Sequence, residues 1–220
     1  MAKISYKNFC NYDSGEAENK FFRVSEKGGA AAFAAAYPAK GSVVLSACER
    51  AVTVSTESFI RRPSLCDEAM KTITGFVNEG IYGMQEPRKK TLCSAAVLYI
   101  FRGKARCVTM GNSVILYFSD GKLVSAFEGK EDVLPGVSLR EKFESEPEFD
   151  LKKGKNAFLI VSSGDKPVLD VSVIESGLQG SETAEDWIKA ISPGLEGRRC
   201  SALAIDLPAR KNGLMNLLRP

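Results

Sequence analysis

Apolar positions along this chain fall mostly in short runs and alternating patterns, which predict strands. Short strands are predicted at residues 3–6 and 20–24, and a buried strand at residues 42–47, where the run is apolar and β-branched. The segment 28–41 is rich in alanine and glycine. Its composition favours a loop, and a strand packed under a close neighbour is the other structure that fits it.

Two segments carry the three- and four-residue spacing of an amphipathic helix. The first begins at Ser64, where acids in the following turn favour this serine as the capping residue, and ends by Pro87. Its apolar face is formed by Leu65, Ala69, Ile73, Phe76, Val77 and Ile81. The second helix is predicted over residues 183–191, with Pro193 as its stop. Its inward positions are Ala184, Trp187, Ile188 and Ile191.

The middle of the chain predicts a meander of four strands. Residues 94–101 and 105–110 flank a short turn that contains Gly103, and residues 113–118 and 122–127 flank the hairpin signal Asp120–Gly121. Two more buried strands are predicted at residues 156–163 and 201–207. The order is therefore strands, a helix pair, four strands, a strand, a helix and a strand. This order predicts an α+β sandwich in which helices cover antiparallel sheets.

Length and charge limit the classes of function. The chain has 220 residues and a net charge of +3, so we expect one domain over residues 1–208 with a C-terminal tail at 209–220. Near-balanced charge gives no reason to expect a nucleic acid or a membrane as partner. No segment has the apolar length of a signal peptide or a membrane span. We therefore predict a cytoplasmic protein, and its oligomeric state stays open.

Cysteine and histidine usage excludes several kinds of site. The six cysteines are scattered singly without a Cys-x-x-Cys pair, which argues against a zinc site and a disulfide framework and fits reduced thiols. The chain contains no histidine. Imidazole is therefore unavailable as a metal ligand, as the base of a triad or as a general acid. Any hydrolysis would require carboxylates, a cysteine, a lysine or a metal bound by oxygen ligands.

Three segments resemble, in the same order, those of the metal-dependent type-2C (PPM) serine/threonine phosphatases. They are TLCSAAVLYIFRGKARCVTMGNSVILYFSDGKLVSAFEG from residue 91, FDLKKGKNAFLIVSSGD from residue 149 and GRRCSALAIDL from residue 197. The segment AENKFF from residue 17 is similar to the N-E-D-x-F element of that family. Each motif alone is weak, and the resemblance rests on their common order over most of the chain.

The resemblance implies a β-sandwich of two antiparallel sheets flanked by helices. It also implies a cleft at one end of the sandwich, where aspartates hold two or more Mg²⁺ or Mn²⁺ ions that activate a water to attack a phosphoester. Hard divalent cations need such charged oxygen ligands.

Most of the carboxylates that the resemblance requires are missing from this chain. Amides replace them at Asn19 and Asn112, and the D-G-x-G strand end falls at LSACER, residues 45–50, with Ala47 or Cys48 in place of the acid. The S-D-G element has aspartate and glycine exchanged, and the phosphate-binding arginine becomes Ser14. The positions that the resemblance assigns to the cleft are Glu18, Asn19, Ala47, Cys48, Asn112, Gly164, Asp165 and Arg198.

Two substitutions predict that the cleft no longer works as a metal site. Arg198 stands where the family has its final metal aspartate, and a guanidinium cannot coordinate a cation. Asp165 is shifted by one residue, which points its side chain to the opposite face of an extended segment. We therefore predict a pseudophosphatase without a cofactor, which binds a protein partner. Arg198 and Arg199 are its candidate residues for a phosphate on that partner.

Two alternatives stay open. In the first, the protein is a divergent active phosphatase that binds Mn²⁺ or Mg²⁺ through Glu18, Glu49 and Asp165, with Asp170 as a further candidate ligand. In the second, the resemblance is fortuitous and the chain is an unrelated α+β interaction domain.

Overall fold

Two antiparallel sheets form the centre of the molecule. The structure is a computed structural model that describes residues 4–12, 18–42, 45–86, 90–139, 143 and 145–207, with backbone only for Glu18 and Asn19. Its strands are β1 Ser5–Cys10, β2 Phe22–Lys27, β3 Ala30–Pro38, β4 Cys93–Phe101, β5 Lys104–Met110, β6 Ser113–Ser119, β7 Lys122–Glu128, β8 Phe149–Asp150, β9 Asn156–Ser163 and β10 Cys200–Leu207. Its helices are α1 Glu18–Phe21, α2 Ser46–Arg61, α3 Asp67–Tyr82, α4 Val171–Gln179 and α5 Ala184–Leu195.

Each sheet has five strands. Sheet A has the order β1-β10-β9-β6-β7, and sheet B has the order β2-β3-β4-β5-β8. Side chains of both sheets meet in one buried layer that includes Phe33 and Leu98 from sheet B and Phe158 and Leu203 from sheet A. Helices α2 and α3 cover the outer face of sheet B, and α4 and α5 cover that of sheet A. The predicted α+β sandwich is confirmed.

The four strands predicted from the middle of the chain are confirmed, but they do not form one meander. β4 pairs with β5 in sheet B, and β6 pairs with β7 in sheet A. The chain changes sheets at Gly111–Asn112, where Gly111 has a φ of +67°. Because a side chain at residue 111 would also collide with Leu134 and Ser94, glycine suits this position.

The loop favoured at residues 28–41 is wrong over most of its length, because Ala30–Pro38 forms β3, an interior strand of sheet B, which agrees with the alternative of a strand under a close neighbour. β3 pairs with β2 on one side and β4 on the other, and every residue in it is buried. Alanine has a low strand propensity, but tertiary packing overrides it here. The small side chains allow α2 on one face and sheet A on the other to lie close to the strand.

The buried strand predicted at residues 42–47 is also wrong, since Ser46 and Ala47 lie in the first turn of α2. Leu45 is the N-cap of this helix, whose buried face includes Ala51, Val52 and Phe59, and residues 43–44 lie outside the described part of the chain. The sequence analysis expected a helix pair in this region, but it assigned bounds only to α3.

Both helices that received bounds are present. α3 begins at Asp67. Its N-cap is therefore Cys66, two residues after the predicted cap Ser64. α5 begins after Thr183, which forms a reciprocal capping box with Asp186. The predicted stop at Pro193 is wrong, because α5 continues to Leu195.

A serine explains how α5 tolerates its proline. Pro193 has no N–H for the carbonyl oxygen of Lys189. The hydroxyl of Ser192 donates to that oxygen at 3.1 Å instead. The helix therefore continues past Pro193 to Leu195 and does not stop at the proline, where the sequence had predicted its end.

Two further features complete the comparison with the sequence. α4, capped by Asp170, was not predicted. The tail at 209–220 lies outside the described residues. None of the described helices has the length and apolar character that crossing a membrane requires.

Candidate functional site

One end of the sandwich brings together Asn112, Gly164 and Arg199, with Asp165 and Arg198 next to them in the chain, whereas Ser14 and the side chains of Glu18 and Asn19 lie outside the described residues. β6, β9 and β10 are neighbours in sheet A, so the start of β6, the end of β9 and the start of β10 meet there. The backbone N–H of Ser163 donates to the carbonyl of Asn112 at 2.9 Å, and that of Gly164 donates to Arg199 at 3.0 Å. The amide of Asn112 donates to the carbonyl of Gly164 at 3.4 Å. Asn112, Gly164 and Arg199 are therefore direct neighbours.

Ala47 and Cys48 do not lie at a strand end. Both are fully buried in the first turn of α2, where burial raises the pKa of the Cys48 thiol well above its ordinary value. The carbonyl of Ala47 accepts a hydrogen bond from the thiol of Cys93 at 3.6 Å. These two positions are core positions, so the placement of a strand end at residues 45–50 is wrong.

The strand that ends in this part of the chain is β3, and its last residues are Tyr37 and Pro38. Tyr37 is 1% exposed. Its ring stacks on Phe21 with centroids 5.7 Å apart and meets Tyr12 edge-on at 6.1 Å. Its hydroxyl donates to the carbonyl of Asn11 at 2.9 Å. Sequence reasoning missed Tyr37, because the alanine-rich segment before it favoured a loop over a strand that would end there.

Burial raises the pKa of Tyr37 to about 12, although the guanidinium of Arg199 beside it acts in the opposite direction. The phenol is therefore neutral at physiological pH, and it is a poor ligand for a hard divalent cation. An aromatic ring and a neutral hydroxyl occupy the end of β3.

Gly164 and Asp165 have separate environments, which explains why glycine stands before the acid in Ser163-Gly164-Asp165. A side chain at residue 164 would come within 3.2 Å of the carbonyl oxygen of Pro38 and within 3.8 Å of the Tyr37 ring. Because glycine has no side chain, Pro38 and Tyr37 at the end of β3 can pack directly against residue 164. Asp165 instead pairs with Lys40 at 3.2 Å, with both side chains mostly exposed. Such a surface pair contributes little to stability.

The two arginines before β10 are held differently. The Nε–H of Arg198 donates to the carbonyl of Gly194 at 2.9 Å, so this side chain turns back along the end of α5. The carbonyl of Arg199 accepts from the hydroxyl of Ser163 at 2.8 Å as well as from Gly164. Its backbone is therefore fixed beside Tyr37, while the residue itself is exposed.

The alternative metal ligands are dispersed. Glu49 is an exposed residue of α2, and Asp165 is paired with Lys40. Asp170 accepts from the backbone N–H groups of Ser172 and Val173, and hydrogen bonds from the Ser172 hydroxyl and these amides lower its pKa. Asp170 is the cap of α4.

Within the described part of the chain, no three or more Cys, Asp or Glu side chains form a group that would hold a metal ion. Among the described residues, the side chains at this end of the sandwich are amide, phenol, guanidinium and one solvent-facing carboxylate, and the side chain of Glu18 lies outside them. This set does not fit the divalent cations that the PPM resemblance implies.

Comparison with known proteins supports the fold. No family model matches the chain, and no curated protein matches its sequence. Solved structures do match, among them a serine/threonine phosphatase of S. agalactiae, with a TM-score of 0.71 and 16% identity over 94% of this chain and 99% of that one. The catalytic domain of the phosphatase PstP, in complex with two manganese ions, matches with a TM-score of 0.68 and 15% identity over 93% of this chain and 98% of that one.

PppA, described as a key regulatory component of the T6SS in Pseudomonas aeruginosa, gives a TM-score of 0.65 and 16% identity over 95% of this chain and 99% of that one. At this level of identity the likeness establishes the fold. The chain has the PPM phosphatase fold, and the match extends over nearly the full length of each neighbour.

Proposed function

We propose that this protein is a pseudophosphatase of the PPM fold, which acts in the cytoplasm by binding a protein partner rather than by metal-dependent hydrolysis. The observation that carries this proposal is Tyr37. It ends β3 as a buried neutral phenol beside an arginine, at the end of the sandwich where the resemblance requires carboxylates. Within the described residues, no group of carboxylates is present that would hold the ions that activate water.

The charges at this end favour an anionic partner group. Lys40, Arg198 and Arg199 are exposed there; Asp165 pairs with Lys40, and the exposed Glu196 precedes the two arginines. A guanidinium matches the geometry of phosphate oxygens, so a phosphorylated side chain is the group that we propose for the partner. Because Arg198 is turned back onto Gly194, we assign the phosphate contact to Arg199.

Two other observations agree with this role. One structural neighbour, PppA, is described as a regulatory component rather than only as an enzyme. None of the six cysteines, all of which the structure describes, forms a disulfide, which agrees with a reducing compartment.

The test is a calorimetric titration of the purified protein with Mn²⁺, run beside hydrolysis of an aryl phosphate. The catalytic domain of PstP, whose structure contains two manganese ions, serves as the positive control in both assays. We expect no binding heat up to millimolar Mn²⁺ and no hydrolysis above the buffer rate. The proposal fails if the protein binds Mn²⁺ stoichiometrically and turns over in its presence.

In that case the protein is a divergent active phosphatase. Two variants then test whether Asp165 is one of its metal ligands. Asp165→Ala would abolish turnover, because Asp165 is the carboxylate that lies beside the cleft positions. Asp150→Ala, at an exposed residue of β8, is the matched control and would leave turnover unchanged.

A further inference from the structure

Two segments of the chain share a basic pattern, in which a pair of arginines stands three and two residues before a serine. They are Arg61-Arg62-Pro63-Ser64 and Arg198-Arg199-Cys200-Ser201. Basophilic serine/threonine kinases recognise their substrates by such a pattern, because acidic side chains of the kinase attract the two guanidinium groups. The pattern alone does not distinguish the two serines. The accessibility of each hydroxyl group in the folded protein does.

Ser201 is closed to a kinase in the native fold. It lies in β10, an interior strand of sheet A, and it is fully buried. Its hydroxyl donates to the carbonyl of Ala36 in the opposite sheet at 2.8 Å. Transfer of a phosphoryl group to this oxygen would require the two sheets to separate. Thr91, which follows another basic run, is also buried.

Ser64 lies in the short connection between α2 and α3. Arg61 is the last residue of α2 and Cys66 is the N-cap of α3, so the serine lies outside both helices. Arg61 and Arg62 are exposed, and Ser64 is partly exposed. The Ser64 hydroxyl donates to the exposed thiol of Cys66 at 3.2 Å and accepts from the N–H of that residue at 3.4 Å. The hydroxyl group is therefore held at the surface by weak local contacts.

The connection is also able to open locally, which matters because a kinase binds the residues around its target serine in an extended form. Arg62 has left the helical conformation, with a φ of −145°, and Cys66 is extended. Among the described residues, the backbone N–H groups of Ser64 and Leu65 have no acceptor. Segments with few backbone hydrogen bonds open at low cost. The buried Leu65, whose carbonyl accepts from Arg106 at 2.6 Å, keeps the connection attached to the core.

We propose that Ser64 is a phosphorylation site for a basophilic serine/threonine kinase. The kinase transfers the γ-phosphoryl group of Mg²⁺-bound ATP to the Ser64 hydroxyl oxygen. A new O–P bond forms, the bond between the γ-phosphorus and its bridging oxygen breaks, ADP leaves, and the hydroxyl proton passes to the catalytic base of the kinase. The site involves none of the residues of the candidate site, and it does not depend on the function proposed above.

Phosphorylation changes the charge of the corner formed by residues 61–68. This corner contains two arginines, Arg61 and Arg62, and two acids, Asp67 and Glu68, so its charges balance. A phosphoserine adds about −1.5 to −2 at neutral pH, and the arginines beside it can form charge-assisted hydrogen bonds with its oxygens. The corner thereby becomes anionic. Such a change alters which partner surfaces it attracts.

The test is to incubate the native protein with Mg²⁺, ATP and a serine kinase that selects Arg-Arg-x-Ser. Mass spectrometry of the intact protein and of its peptides locates the product. We expect one phosphoryl group on Ser64 and none on Ser201. A synthetic peptide of residues 58–69 is the unstructured reference. The native protein should react within about tenfold of the peptide's rate, since a local opening is the only added step.

Arg61→Gln and Arg198→Gln are matched variants, because each removes an exposed arginine three residues before a serine. Arg61→Gln should slow the modification of Ser64 by about tenfold or more, since a charge contact with the kinase is lost. Arg198→Gln should leave the rate unchanged. Ser64→Ala should abolish incorporation. Circular dichroism confirms that each variant is folded.

The proposal is overturned if the peptide is modified but the native protein is not, because the connection then stays closed to the kinase. It is also overturned if neither is modified, or if Arg61→Gln and Arg198→Gln slow the reaction equally, because the basic pattern then does not direct it. Modification of Ser201 in the native protein would mean that burial does not select between the two serines.

Discussion

Asp206 illustrates how the surroundings of one residue set its ionisation. It lies on β10 with its side chain 14% exposed, and one carboxylate oxygen accepts from Lys155 at 3.1 Å. The other oxygen is buried and has no hydrogen-bond partner within the described residues. Burial raises the pKa of Asp206, and the hydrogen bond and charge of Lys155 oppose this effect without cancelling it.

We predict that Asp206→Asn is more stable than the wild type at neutral pH. A raised pKa means that the native state binds the proton more tightly than the unfolded chain does. Native stability therefore falls as the pH rises from the ordinary aspartate pKa through the folded pKa, and the amide removes this loss. The advantage of the variant should disappear as the pH falls through the ordinary aspartate range. Urea unfolding over a pH series measures it.

Asp150→Asn, at an exposed residue of β8, is the control and should show no comparable gain at neutral pH. If Asp206→Asn is instead less stable than the wild type at neutral pH, the ion pair with Lys155 outweighs the cost of burial, and the prediction is wrong.

At the scale of elements, β3 determines how closely the layers pack. Its alanines alternate between two cores, with Ala30, Ala32 and Ala34 in the core beneath α2 and Ala31 and Ala35 in the core between the sheets. All of these are fully buried. Small side chains on both faces of one strand allow a helix and a second sheet to approach it at once, and native packing leaves little room for more atoms.

We predict that Ala34→Leu destabilises the protein by about 1–3 kcal/mol, the usual cost of overpacking a filled core. The added atoms would force α2 away from β3. Equilibrium unfolding in urea gives the value. Ala126→Leu is the matched control, because Ala126 is exposed on β7 and should tolerate the larger side chain nearly without cost. Equal effects in the two variants would mean that β3 has space that its burial does not indicate.

For the whole molecule, the three buried clusters suggest that the fold does not need a bound ion. One cluster lies between α2–α3 and sheet B, one lies between the sheets, and one lies between sheet A and α4–α5. The end at which the resemblance places metal ions is closed by hydroxyl–carbonyl bonds from Tyr37, Ser162 and Ser201. We therefore expect folding to be independent of metal.

We predict that neither Mn²⁺ nor a chelator changes the thermal midpoint of unfolding. A ligand bound only by the native state, at a thousand times its dissociation constant, would add about 4 kcal/mol and raise the midpoint by several degrees. Differential scanning calorimetry detects such a shift. The manganese-binding catalytic domain of PstP is the comparison protein, and its midpoint should rise with Mn²⁺. A rise in this protein's midpoint with metal concentration would contradict the prediction.

Regular patterns could be recognised in the sequence, and irregular ones could not. β4 to β7, α3 and α5 follow strand or helix periodicity closely, and each was predicted near its actual bounds. β3 was only the second choice because alanine is ambiguous, α2 received no bounds because a short apolar run precedes it, and α4 was not predicted because only its cap, Asp170, carries a clear signal. In each case the deciding factor is packing against a distant segment.

The candidate site divides in the same way. The chain itself determined that imidazole chemistry is absent and that an amide and an arginine stand at Asn112 and Arg198, where the resemblance implies acids. Tertiary structure alone decided that Tyr37 ends the strand beside them, that Asp165 turns to Lys40, and that Arg198 turns back to Gly194. The hydrogen bond from Tyr37 joins residues 26 positions apart, and those of Ser162 and Ser201 join residues more than 100 apart. Such contacts form only when the two sheets meet, so local sequence cannot specify them.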